Sequence, residues 1–125
     1  MVTQSVFCTS ISCMDGRIQL PIIQWLKENH NVSFVDTITE PGIEKLFTNV
    51  DKINEIKSKA LISVEKHGSK LVMVSGHNDC AGNPVSESEH IDQIRQAVSV
   101  IESWKLPIKV IGAWVNHNWE LEILA

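Results

Sequence analysis

Two short clusters of chemically active residues stand out in this sequence. The first contains Cys13, Asp15 and Arg17, and the second contains His77 and Cys80. Two thiols and one imidazole form a ligand set that suits a zinc ion and leaves its fourth position open for water. An aspartate close to a thiol ligand supplies a hydrogen-bond acceptor, and an arginine two residues further on can hold its carboxylate. The pattern therefore predicts a catalytic metal site rather than a structural one.

The elements that must position these clusters alternate along the chain. Strands are predicted over residues 5–12, 32–37, 70–75 and 108–115, and helices over residues 21–29, 50–66 and from a capping box at residues 86–89. Residues 119–124 are predicted to return as an antiparallel edge strand. This order predicts a three-layer α/β/α fold with a mostly parallel central sheet and right-handed crossovers. Because sites form at the carboxyl ends of parallel strands, Cys13 and His77 are expected at the same edge.

The composition and charge of the chain argue against several classes of protein. The chain has 125 residues, a net charge of −4 and a hydrophobic fraction of 43%, which is typical of one globular domain. The absence of a basic stripe argues against nucleic acid as a partner, and the absence of a long apolar run argues against a membrane span. No signal peptide is recognisable at the N-terminus, which predicts a cytoplasmic protein. Three cysteines favour metal or redox chemistry over a disulfide framework.

The two clusters resemble the zinc-binding motifs of the β-class carbonic anhydrases. The resemblance rests on Cys13-x-Asp15-x-Arg17 and on His77-x-x-Cys80 with Ser75-Gly76 before it, and it extends over roughly residues 4–124. It implies that residues 1–125 form a single zinc domain, with one Zn²⁺ per chain held by Cys13, His77 and Cys80. It further implies that Asp15 accepts a hydrogen bond from a zinc-bound hydroxide and that Arg17 fixes Asp15. The implied reaction is the reversible hydration of CO2 to bicarbonate.

The resemblance carries further expectations. Gln4 and Gly76 are weaker candidates for contact with the substrate. Family members form dimers or multiples of dimers, so a homodimer or a dimer of dimers is expected. In some members the aspartate of the first motif itself occupies the fourth zinc position at rest. The sequence does not decide which state Asp15 prefers.

The chain also departs from the family pattern after its second strand and after the second motif. Residues 36–42 replace the usual Arg-x-Ala-Gly stretch, and Ala81-Gly82 follows Cys80 where many members have Gly-Gly. These changes leave two alternatives open. One is a zinc hydrolase that acts on a related linear substrate such as COS or CS2, and the other is a non-catalytic zinc- or bicarbonate-binding module that acts through a partner. The Asp15–Arg17 pair argues against the second alternative, because a structural site does not need it.

The remaining reactive residues are interpreted mainly as structural. Cys8 lies inside the first predicted strand and is interpreted as a buried, inert thiol. Asp79 is expected either to orient a ligand histidine or to cap a turn. Candidate proton shuttles, none of them favoured, are His30, His67, His90 and His117.

Overall fold

The computed structural model describes residues 6–124, which form a five-stranded sheet covered by helices. The strands are β1 (Phe7–Ser12), β2 (Phe34–Thr39), β3 (Leu71–His77), β4 (Lys109–Val115) and β5 (Leu121–Leu124). The α-helices are α1 (Gly16–His30), α2 (Val50–Leu61) and α3 (Glu87–Ser103). A 3₁₀ helix over Ile43–Thr48 precedes α2, and a π-helical turn over Ile62–Lys66 follows it.

The strand order is β2-β1-β3-β4-β5, in which β5 alone of the described strands runs antiparallel to its neighbour. Strand β3 lies at the centre, and each of its residues is buried, which is why its sequence is almost continuously apolar. Because β1 and β3 are parallel neighbours, their carboxyl ends lie at the same edge. The sheet therefore brings the residues that follow β1 close to those that end β3.

Two apolar layers cover the sheet, one on each face. On one face, Ile18, Ile22 and Leu26 form the buried stripe of α1 and belong to a cluster with Met73 of β3. On the other face, buried side chains of the 3₁₀ helix, α2 and α3 pack with those of β1, β3 and β4. The predicted three-layer α/β/α architecture is confirmed.

The start of α1 differs from the sequence prediction. The prediction placed Pro21 in the first turn, but the helix begins at Gly16 and Pro21 lies inside it. The carboxylate of Asp15 accepts a hydrogen bond from the Arg17 backbone N–H at 2.9 Å and so caps the helix. Because Pro21 has no N–H, the helical hydrogen bond from residue 21 to the Arg17 carbonyl is lost.

Other boundaries shift by smaller amounts. Strand β2 begins and ends two residues later than predicted, and β3 extends to include His77 rather than ending before it. The 3₁₀ helix over Ile43–Thr48 was not predicted. The predicted helix start at Ser86 is confirmed, since its hydroxyl accepts from the Glu89 backbone N–H at 3.2 Å. Among the helices of residues 6–124, none combines the length and apolar character needed to cross a membrane.

Candidate metal centre

Cys13, His77 and Cys80 converge at the carboxyl edge of the sheet. Their ligand atoms all lie within 4.8 Å of one another, and the three side chains are buried. The two Sγ atoms are 3.9 Å apart, far beyond the ~2.05 Å of a disulfide. Two thiolates on a tetrahedral zinc ion, each at about 2.3 Å, would be separated by nearly the same distance. The three predicted residues thus form a group that could hold a metal ion.

The neutral imidazole of His77 is held in the tautomer that a metal requires. Its Nδ1 lies 2.6 Å from the carbonyl oxygen of Asn78, and because a carbonyl oxygen only accepts, Nδ1 carries the hydrogen. The lone pair is therefore on Nε2. This atom is buried and has no hydrogen-bond partner among the described residues. A buried acceptor without a partner is costly, and a metal ion on Nε2 would remove that cost.

The two sulfur atoms and one imidazole nitrogen favour some metal ions over others. Sulfur and imidazole ligands favour zinc and other borderline or soft ions, whereas magnesium and calcium prefer oxygen ligands. Burial, then the neighbouring Cys13 and then Glu44, raise the pKa of the Cys80 thiol to about 11. A bound cation is what would favour the thiolate form at neutral pH in such surroundings. The residues present therefore fit a zinc ion.

Asp15 lies beside the open side of this group. Its Oδ2 is 4.0 Å from His77 Nε2. Arg17 holds both carboxylate oxygens, through Nε at 3.0 Å from Oδ1 and Nη2 at 2.7 Å from Oδ2. These side-chain hydrogen bonds are the main reason that the pKa of Asp15 falls to about 2. The carboxylate is consequently an ionised acceptor at neutral pH, held in one orientation.

Arg17 joins three separate parts of the chain. Its Nη1 donates to Asp79 Oδ2 at 3.1 Å, and its Nη2 donates to the Asp79 carbonyl oxygen at 3.1 Å. The guanidinium also lies over the Trp119 ring, 4.8 Å from the ring centroid. Asp79 had been expected to orient a histidine or cap a turn, but its carboxylate pairs with Arg17. The guanidinium that holds Asp15 is thus itself fixed from two further loops.

The loop that departs from the family pattern forms another wall of the site. The Gly42 backbone N–H donates to Cys13 Sγ at 3.3 Å. Close behind, the Glu44 carboxylate is buried and lies 2.6 Å from His90 Nδ1. Sequence reasoning gave no role at the site to Gly42 or Glu44, nor to Asn83, whose Nδ2 donates to Glu44 Oε1 at 3.3 Å. The Pro41-Gly42 turn was a usable signal, whereas nothing in the sequence marks Glu44 as buried.

Comparison with known proteins agrees with this geometry. A family model described as "Putative carbonic anhydrase" matches residues 3–125. The chain belongs to this carbonic anhydrase family. No curated protein gives a significant match to it. Membership confirms the predicted resemblance, supports a lyase-type activity and implies CO2 or bicarbonate as the small-molecule substrate.

In this member of the carbonic anhydrase family, the predictions for Gln4, Gly76 and Cys8 have different outcomes. Gln4 lies outside the described residues. Gly76 is buried in β3, where an added Cβ would come within 2.8 Å of Glu44 Oε1, so close packing accounts for the glycine. Its contact with the substrate stays a prediction. Cys8 is fully buried, and burial followed by the charge of Asp36 raises its pKa to about 11, in line with an inert thiol.

Three of the four candidate proton-shuttle histidines make contacts with neighbouring side chains. The His30 ring packs near Trp25, with 5.3 Å between ring centroids. His67 pairs with Asp36, its Nδ1 being 2.6 Å from Oδ2. His90 is buried against Glu44. These contacts give the three histidines structural roles, and a shuttle function stays untested for all four candidates.

Proposed function

We propose that this protein binds one zinc ion per chain through Cys13, His77 and Cys80 and catalyses the reversible hydration of CO2 to bicarbonate. The observation that carries the proposal is the buried, unpartnered Nε2 of His77, which lies with two thiols beside the Asp15 carboxylate. A zinc ion in this position supplies the Lewis acidity that makes water nucleophilic near neutral pH.

The protein's own contribution is orientation. We propose that Asp15 Oδ2 accepts a hydrogen bond from the O–H of the attacking water, which directs an oxygen lone pair towards the carbon of CO2. Arg17 keeps this acceptor ionised and prevents its rotation through the 2.7 Å and 3.0 Å hydrogen bonds. An acceptor fixed in advance costs little reorganisation when the reaction occurs.

Zinc content and turnover test the proposal together. We expect elemental analysis of the purified protein to find about one zinc per chain and stopped-flow measurements to find CO2 hydration. COS and CS2 hydrolysis would be measured in parallel. Absence of zinc would reject the proposal outright. Zinc with turnover of COS or CS2 alone would support the hydrolase, and zinc without any turnover would support a binding module.

We also propose that residues 1–125 form one domain that assembles as a homodimer or a dimer of dimers in the cytoplasm. Strand β2 is at an edge of the sheet, and within residues 6–124 its outer side has no partner strand. Phe34, the first residue of this edge strand, is 51% exposed. An unpaired strand edge with an exposed aromatic side chain favours pairing with a second chain. Light scattering at micromolar concentration should give at least twice the 14.0 kDa chain mass, and a monomer would contradict this.

A further inference from the structure

Two loops beside the candidate metal centre are packed against each other without space for side chains. One consists of residues 41–45, which are the turn after β2 and the start of the 3₁₀ helix, and the other of residues 82–83, after Cys80; together we name them the clasp. A Cβ added to Gly42, whose φ is +55°, would lie 2.6 Å from Asn83 Cβ. A Cβ added to Gly82 would lie 2.7 Å from Pro41 Cβ. Both positions therefore require glycine, and the two segments are in close contact there.

Asn83 is the side chain that holds the clasp in place. It is 3% exposed, and its Nδ2 donates to Gln93 Oε1 at 2.7 Å and to Glu44 Oε1 at 3.3 Å. Glu44 is fixed in turn by His90 of α3, at 2.6 Å. The Lys45 ammonium donates to the Gly82 carbonyl oxygen on the outer side. Asn83 thus connects the loop after β2 to α3.

The clasp determines where one backbone donor lies. Gly42 presents its N–H to Cys13 Sγ at 3.3 Å. The Asn83 amide donates to Glu44, two residues further along the same segment, at 3.3 Å and so holds that segment in place. A sulfur that accepts an N–H hydrogen bond donates less negative charge to a metal ion. Two thiolate ligands make a zinc site less acidifying than neutral imidazoles would. A hydrogen bond on one of them offsets part of that effect.

We infer that Asn83 is a positioning residue that holds the Gly42 amide on the sulfur of Cys13 and so weakens the negative charge that Cys13 donates to the metal. The inference rests on the proposed function, in that Cys13 is taken as a metal ligand. Asn83 acts through Gly42 and makes no contact with substrate in this account. Neither Gly42 nor Asn83 is part of the two motifs that identify the family.

The test uses the full chain loaded with the cadmium isotope that is visible by NMR. We expect a scalar coupling between cadmium and the Gly42 amide proton, transmitted across the N–H···S hydrogen bond. In Asn83→Ala this coupling should fall or be lost, because the Gly42 N–H is no longer held on the sulfur. In cobalt-loaded Asn83→Ala, the sulfur-to-cobalt charge-transfer band should move to lower energy, because the sulfur becomes richer in electrons.

Two further variants keep the test decisive. Gln93→Ala removes one of the acceptors of the Asn83 amide, on the half-exposed face of α3. It should lower the coupling by a smaller factor than Asn83→Ala does. It carries the test if Asn83→Ala does not fold. Ser63→Ala is the matched control. It removes a buried hydroxyl that bonds Thr9 at 2.7 Å, and it should leave both signals unchanged.

The outcomes separate this inference from the proposed function. A cadmium-loaded wild type without the coupling would overturn the inference, and so would an equal coupling in wild type and in both variants of the clasp. A coupling that responds as expected, in a protein whose zinc form does not hydrate CO2, would support the inference and reject the proposed function. A protein that takes up no cadmium would overturn both.

Discussion

Replacing Cys80 with serine is expected to abolish zinc binding and CO2 hydration together. The serine hydroxyl is a harder and far less acidic ligand than a thiol, and within residues 6–124 no further thiol belongs to the three-residue group. Substitutions beyond the ligands cost up to about 100-fold in metal affinity, so loss of a ligand should cost more than that. Chelator competition would measure the affinity, and stopped-flow CO2 hydration would measure the activity.

Cys8→Ser provides the matched control for Cys80→Ser. It makes the same chemical change at a fully buried thiol within β1, outside the three-residue group. We expect Cys8→Ser to lower stability but to retain zinc and activity. Circular dichroism would confirm that both variants fold. Full zinc content and normal hydration in Cys80→Ser would show that Cys80 is not a ligand.

Asp15→Asn is expected to keep zinc and to lower the rate of CO2 hydration by roughly 10- to 100-fold. Asparagine caps a helix about as well as aspartate, so the start of α1 should be preserved. The amide is uncharged, however, and loses the ion pair with Arg17. It would also turn either a weaker acceptor or a donor towards the attacking water. Measuring kcat together with zinc content separates this catalytic defect from loss of metal.

Asp79→Asn is the control for Asp15→Asn, because it alters the other carboxylate that pairs with Arg17. The Asp79 side chain is 78% exposed, and exposed ion pairs contribute little. Its effect on the rate should stay below about fivefold. If Asp15→Asn hydrated CO2 as fast as wild type, Asp15 would not be the acceptor. Loss of zinc from Asp15→Asn would indicate instead that its carboxylate binds the metal.

The sequence allowed the architecture and the candidate metal-binding group to be predicted for two physical reasons. Cys13 and His77 each lie at the end of a strong strand pattern, and parallel strands place such ends at one edge of a sheet. The Asp15–Arg17 pair is local in sequence, so its contact could also be anticipated. The direction of the strands and the short spacing between Asp15 and Arg17 are therefore enough to predict these contacts.

The clasp could not be predicted by the same reasoning. Its main donor to the site is the backbone N–H of Gly42, which has no side chain to reveal it. Glu44 and Asn83 are distant in the sequence and meet only through tertiary packing. A buried glutamate also contradicts the usual expectation that charged residues are exposed. The sequence prediction started α1 too late, at Pro21, for a different reason. The Asp15 cap is a stronger signal for a helix start than the proline.

The pairing of β1 with β3 has a consequence for the folding equilibrium. These neighbours are separated in the chain by α1, β2 and α2, so Cys13 and His77 come together only after a long loop has closed. A zinc ion bound to both would act as a crosslink between the beginning and the middle of the chain. It would bind the folded state alone and stabilise it by about 4.1 kcal/mol at a free concentration of roughly 1,000 times Kd. That is a large part of the ~5–15 kcal/mol by which folded proteins are stable, so a bound zinc ion would raise the free energy of unfolding of this chain substantially.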